Sequence, residues 1–234
     1  YNLSRLGYIF NITYAGGHHV LYREIMKRNS PVPLNLARVS PELNVIEKPF
    51  LKDGDDPVVH ECMMSNKIYT SHFYYTYSAS AGCAAAALSK KYLIKIIDER
   101  GKVVHRITRD LEKPEIGKKE RNYLVETDIM LSKTFRHLPK SVRSDLKGLI
   151  PGHKCFIRGL TLSGKYVFVG RIKEDITDPK APVPVDLFTL KGKFLGQIKM
   201  RSFPESVTEK HMYFIERNEA DDLLVTKYEY RLTQ

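Results

Sequence analysis

The chain has 234 residues, 42% hydrophobic and 28% charged, with 14 glycines and 12 prolines, which excludes a disordered, collagen-like or disulfide-dense chain and allows one substantial core. No window approaches the ~18 consecutive apolar residues that a membrane-spanning helix needs. The formal charge is +11 and its excess is local, with 21 basic against 9 acidic residues between Lys90 and Lys173 and 17 against 18 elsewhere. A basic region of this kind suits either a polyanion-binding surface or a solvated, lysine-rich insertion, and no specific nucleic-acid motif accompanies it.

In chain order, four β-rich units emerge, roughly 6–49, 57–110, 155–203 and 204–232. The first contains LARVSPELNVIE from Leu36, two strand-like runs around a turn at Ser40-Pro41-Glu42. The second opens with VVHECMM, Val58 to Met64, a turn at Ser65-Asn66-Lys67, and IYTSHFYYTY, Ile68 to Tyr77. The small-residue stretch Ser78 to Ser89 then reads as a loop. After it comes IKIIDERGKVVHRI, Ile94 to Ile107, a hairpin around Gly101-Lys102. Glycine suits such a tight turn because short hairpins require positive φ.

Residues 114–152 break the pattern. Leu131, Phe135, Leu138 and Val142 fall on one face of a helix, Pro139 interrupts it, and Ser141 can cap a second helix that Gly148 ends. The third unit resumes with FIRGLTL, a turn at Ser163-Gly164-Lys165, and YVFVGRI. Its second half, VDLFTLKGKFLGQI from Val185 to Ile198, lies over Ile94 to Ile107 without a gap. The fourth unit has Ser206 to Thr208, a turn at Glu209-Lys210, HMYFIE, a turn at Asn218 to Asp222, and Leu223 to Tyr230. It lacks a fourth strand.

Tandem four-stranded antiparallel units point to an all-β fold, a β-propeller of which about four blades are present, with a small α-helical insertion at 114–152; the alternative, a two-sheet sandwich, explains strands and turns but not the ungapped repeat. Residues 1–234 form a single domain in this reading. The missing final strand leaves an edge to be completed by residues 1 to 5, by a segment upstream of Tyr1, or by another chain.

No nucleophile elbow, phosphate loop, dinucleotide fingerprint or complete zincin motif occurs, and His60-Glu61-Cys62 stops short because Met stands at 64. No catalytic residue, metal site or cofactor is therefore expected. Cys62, Cys83 and Cys155 are odd in number and lack zinc-type spacing, so each is expected as a buried thiol. One constellation remains: His153, Lys154 and Arg158 introduce and begin the first strand of the third unit. That strand is innermost in a propeller, and there these groups are ligand-binding candidates for a carboxylate or phosphate. Alternatively, Arg158 pairs with an acidic residue of an adjacent blade.

His153 to Val169, HKCFIRGLTLSGKYVFV, with VDLFTLKGKFLGQIKM and the closing MYFIERNEADDLLVTKYEY, resembles the C-terminal blades of the bacterial six-bladed β-propeller family related to NHL-repeat proteins. KKYLIKIIDERGKVVHRI with its lysine-rich insert is similar to that family too, and the match covers about residues 57–232. The resemblance implies a six-bladed ring, about two blades ahead of Tyr1, and an exported protein, periplasmic or at the cell surface. With no paired base and nucleophile in the sequence, the expected function is a non-enzymatic binding module with a protein or glycan partner. The alternatives are an NHL-like hydrolase or lyase with a channel site, and polyanion binding through the basic insertion.

Overall fold

The computed structural model describes residues 8–13, 19–23, 34–38, 51–52, 68–69, 73–100, 102–131, 141, 145, 147–148, 150–218 and 220–231. Four antiparallel sheets follow one another, with the strands of each in chain order. The first holds β1 (Tyr8–Thr13), β2 (His19–Arg23), β3 (Leu34–Arg38) and β4 (Leu51–Lys52), and the second β5 (Phe73–Ser78), β6 (Cys83–Leu88), β7 (Leu93–Asp98) and β8 (Val103–Thr108). After helix α1 (Lys118–Leu131), the third holds β9 (Ile157–Leu162), β10 (Tyr166–Arg171), β11 (Val183–Thr189) and β12 (Phe194–Met200). The fourth has three strands, β13 (Ser206–Val207), β14 (His211–Arg217) and β15 (Leu223–Glu229). The chain is thus mainly β, and the described sheets do not close into a ring.

The repeat is structural down to its irregularities. In β7–β8 the register slips between Ile96 and Ile97, and in β11–β12 between Leu187 and Phe188, the matching positions of the ungapped alignment. Each bulge leaves one apolar residue outward, Val104 and Leu195, both 43% exposed. The turns close alike: the Asp98 N–H donates to the Lys102 carbonyl and the Thr189 N–H to that of Lys193, each at 2.9 Å. Gly192, at φ +87°, has the positive φ expected of such a turn.

The reading of Ser78 to Ser89 as a loop needs correction. Ala79 to Gly82 turns and Ser89 opens the next turn; the Ala81 and Gly82 amides donate back to Ser78 and Ala79, and Cys83–Leu88 is β6. Alanine is a poor strand former, but here Ala84, Ala85, Ala86 and Ala87 are all buried in a central strand. Tyrosines of β5 and isoleucines of β7 flank them in register, Tyr77 and Ile97 beside Ala84, Tyr74 and Ile94 beside Ala87. Thin residues let those large neighbours fill the layer.

A helix occupies the first part of the insertion. α1 begins at Lys118 and Leu131 closes it. The Gly117 amide donates to Glu120 Oε2 at 3.1 Å, half of a capping box. Leu124 and Val125 bury against Tyr69, Ile116 and Ile150. Ser141, Asp145, Lys147 and Gly148 are helical, so Ser141 lies within a helical turn. Phe135, Leu138 and Val142 lie outside the described residues, as do the strand expected over 58–64 and the turns at 40–42 and 65–67.

Sheets two, three and four stack face to face. Ala85, Ala87, Ile94, Ile96 and Ile107 of the second meet Ile157, Leu160, Val167 and Val169 of the third. The other face of the third offers Phe168, Val185 and Leu187 to Val207, Met212 and Phe214 of the fourth. Burial on both faces explains why β10 and β11 read as almost unbroken apolar runs. Within the third sheet Gly159 and Gly170 are direct cross-strand partners, and the Phe203 ring covers both.

A buried polar clasp joins the second and third sheets. Asp186 of β11 is fully buried; it accepts from the Tyr92 hydroxyl at 2.5 Å and from Gln197 Nε2 at 2.8 Å, and Arg109 Nη1 lies 2.8 Å from its Oδ2. The Arg109 guanidinium also sits 4.3 Å above the centre of the Phe194 ring. Burial, then the Asp186 carboxylate, pushes the Tyr92 phenol well above its ordinary range.

Candidate binding cleft at the turn end of the sheets

β9, the first strand of the third sheet, packs against β5 and β13, the first strands of its neighbours. The turns that follow these three strands therefore arrive at one place. A Cβ added to Gly164 would come within 2.8 Å of Glu209 Oε1 and 2.9 Å of Ser80 Oγ, so the turns of three successive sheets touch at this glycine.

Two of the turns share their chemistry. Ser163 donates its amide to the Tyr166 carbonyl at 2.9 Å and accepts the Tyr166 amide on Oγ at 3.1 Å. Thr208 repeats this with His211, at 2.8 Å and 3.1 Å. Hydroxyl side chains closing their own turns hold these loops in shape.

Between the third and fourth sheets at this end lies a cleft of about 580 Å³. Lys165, Lys210 and Arg231 give it cations, Glu209 and Glu229 carboxylates, and Tyr166, Tyr230 and Ser163 hydroxyls; among the described residues no aliphatic hydrophobic side chain lines it. Tyr230 is fixed on both sides: its hydroxyl donates to the Thr208 carbonyl at 2.8 Å, and its ring meets Phe168 edge to face at 6.0 Å. Burial raises its phenol pKa. Arg231 pairs with Glu229 at 3.4 Å. Among the described residues Lys165 and Lys210 have no carboxylate partner, and both are exposed.

The residues singled out from the sequence stand elsewhere. His153 is exposed in a bridge with Glu115. Lys154 points inward: its ammonium is buried in an ion pair with Glu120 and donates to the carbonyls of Glu174 and Lys173. Glu120 also accepts the Ile176 amide at 3.2 Å, so this pair fastens α1 to the loop between β10 and β11. Arg158 is exposed on β9, near enough to the Tyr74 phenol for each to influence the other's ionisation, while burial pushes Tyr74 up to about 12. Arg158 lies near the start of β9 and the cleft beyond its end, roughly 15 Å away at about 3.3 Å per residue.

Elsewhere in the basic region, several cations have internal roles. Lys119 pairs with Asp175 at 3.2 Å, and Arg121 donates to the carbonyls of Lys147, Ile150 and Pro151. Cys83 and Cys155 are buried, and Cys62 lies outside the described residues. No described helix is long and apolar enough to cross a membrane.

The cleft residues escaped the sequence reading although their turns were recognised. What brings them together is stacking of successive sheets, and only superposing the equivalent turns of the repeat could have signalled it. Compared with known protein families and with curated proteins, the chain matches none.

Proposed function

We propose that the chain is a non-enzymatic binding module of the β-propeller type, its sheets successive blades, that holds a protein or glycan ligand in the cleft at the turn end. The observation carrying this reading is the meeting of three equivalent turns at Gly164, beside a polar, tyrosine-bearing cleft. Matching loops of stacked repeats form a surface that can vary while the strands beneath stay constant. The wider reading, a six-bladed ring of the NHL-related bacterial kind exported from the cytoplasm, has its support in the segments His153 to Val169 and Val185 to Met200.

The test is to screen the purified chain on arrays of glycans and peptides, in parallel with a Lys165→Ala, Lys210→Ala variant, and to recover the bound compounds for mass spectrometry. Binding that the double variant loses, with ligand released unaltered, is the expected result. Cleaved ligand would overturn the reading in favour of a hydrolase or lyase. Capture that the double variant retains in full would remove the cleft as the site.

A further inference from the structure

Resting on the reading of the cleft as a binding site, we infer that its ligand is an acidic glycan, a short oligomer of uronic acid residues. The inference starts from what lines the cleft. A peptide ligand ordinarily anchors apolar side chains in apolar pockets, and among the described residues this cleft has no aliphatic wall. A sugar ring instead presents a C–H face that lies on an aromatic ring and hydroxyls that need donors and acceptors at its edge. Tyr166 and Tyr230 supply rings, and Tyr230 is held rigidly by Thr208 and Phe168.

The charges select further. Lys165 and Lys210 extend from the two turns flanking the cleft, unpaired among the described residues, and two ammonium groups facing one space favour a carboxylate between them. Glu209 and Glu229 share that space. Carboxylates accept strongly from vicinal hydroxyls, which an acidic peptide or a polyphosphate does not offer. A uronic acid oligomer satisfies both demands, with one carboxylate per ring and hydroxyls between. A cleft of about 580 Å³ is of ordinary ligand-site size.

Calorimetric titration of the whole chain with tetragalacturonate and with an alginate tetramer tests the inference, using the methyl-esterified galacturonate tetramer and tetraglutamate as comparators. At least one acidic glycan is expected to bind, with affinity falling about tenfold on esterification or in either Lys165→Ala or Lys210→Ala, and weakening as salt is raised. Both lysines are exposed, so these variants leave the fold intact. Equal binding of acid and ester would show that no carboxylate is read and overturn the inference, leaving the cleft a glycan site. Binding of tetraglutamate alone would overturn it in favour of an acidic peptide, again leaving the binding reading in place. If none of the four binds, the acidic glycan is refuted, and the array screen then decides whether the cleft binds anything.

Discussion

Gly159 and Gly170 show how single residues shape this molecule. They lie opposite each other on β9 and β10, and a Cβ at either would come within 2.5 Å or 2.4 Å of the Phe203 ring. Phe203 belongs to the link between the third and fourth sheets, so this ring lying on bare backbone seats one sheet against the next. Glycine interrupts a strand at some cost in backbone entropy, and the ring recovers part of it by covering the exposed peptide groups. Neither glycine needs an unusual φ; the requirement is space. Replacing Gly170 by Ala is expected to destabilise the fold by about 1–3 kcal/mol, the ordinary cost of overpacking. In a Phe203→Leu background the same replacement should cost distinctly less. Urea unfolding of the two single variants and the double variant measures this, and equal costs in both backgrounds would show that the ring is not what the new methyl meets.

At the level of elements, the hairpins β7–β8 and β11–β12 were legible because each carries alternating apolar residues and a glycine-containing turn. β6 was not, since alanines signal neither strand nor period; their identity follows from the tyrosines and isoleucines on either side. The strand therefore tolerates little growth. Ala85, fully buried and facing the third sheet, is predicted to cost about 1–3 kcal/mol when replaced by Val despite the better strand propensity of Val. A thermal unfolding scan that found the variant more stable would show that propensity outweighs packing here. The described helix carries little apolar signal: α1 is largely polar and is positioned by Leu124, Val125 and the Glu120 cap, while Phe135, Leu138 and Val142 lie outside the described residues. Of the candidate site, the turns at Ser163 to Lys165 and Glu209-Lys210 could be read from the sequence. Their convergence could not, because it depends on which strands of different sheets lie side by side. Lys154 attracted attention as a cation near the start of a strand, and its ion pair with Glu120 spans parts of the chain that no local pattern connects.

For the molecule as a whole, the decisive contrast is between the third sheet and the fourth. The third is buried on both faces, and the fourth only on the side carrying Met212 and Phe214. Its other face shows Ile215, Leu223 and Val225 at 55%, 64% and 73% exposed, with Ile215 and Val225 direct cross-strand partners. Beyond them β15 has no neighbouring strand among the described residues, so about half of its residues, those whose N–H and C=O point away from β14, present backbone groups at an apolar edge. Natural sheets protect such edges with charge, proline or a covering element, because an open one pairs with whatever strand it meets. In a purified sample of this chain the strand most often met is β15 of another copy. An antiparallel pair centred on Thr226 would set Leu224 beside Tyr228 in each direction, a favourable aliphatic–aromatic pairing. The 234-residue chain is therefore predicted to associate as its concentration rises, which light scattering behind a sizing column would record as a mass increasing above that of one chain. Val225→Lys places a charge at the most exposed apolar position of the edge and should return the protein to the monomer with little change in stability. A wild-type chain that stays monomeric at every concentration, with slow amide exchange along Leu223 to Glu229, would refute the open edge and show that a segment of the chain itself covers it.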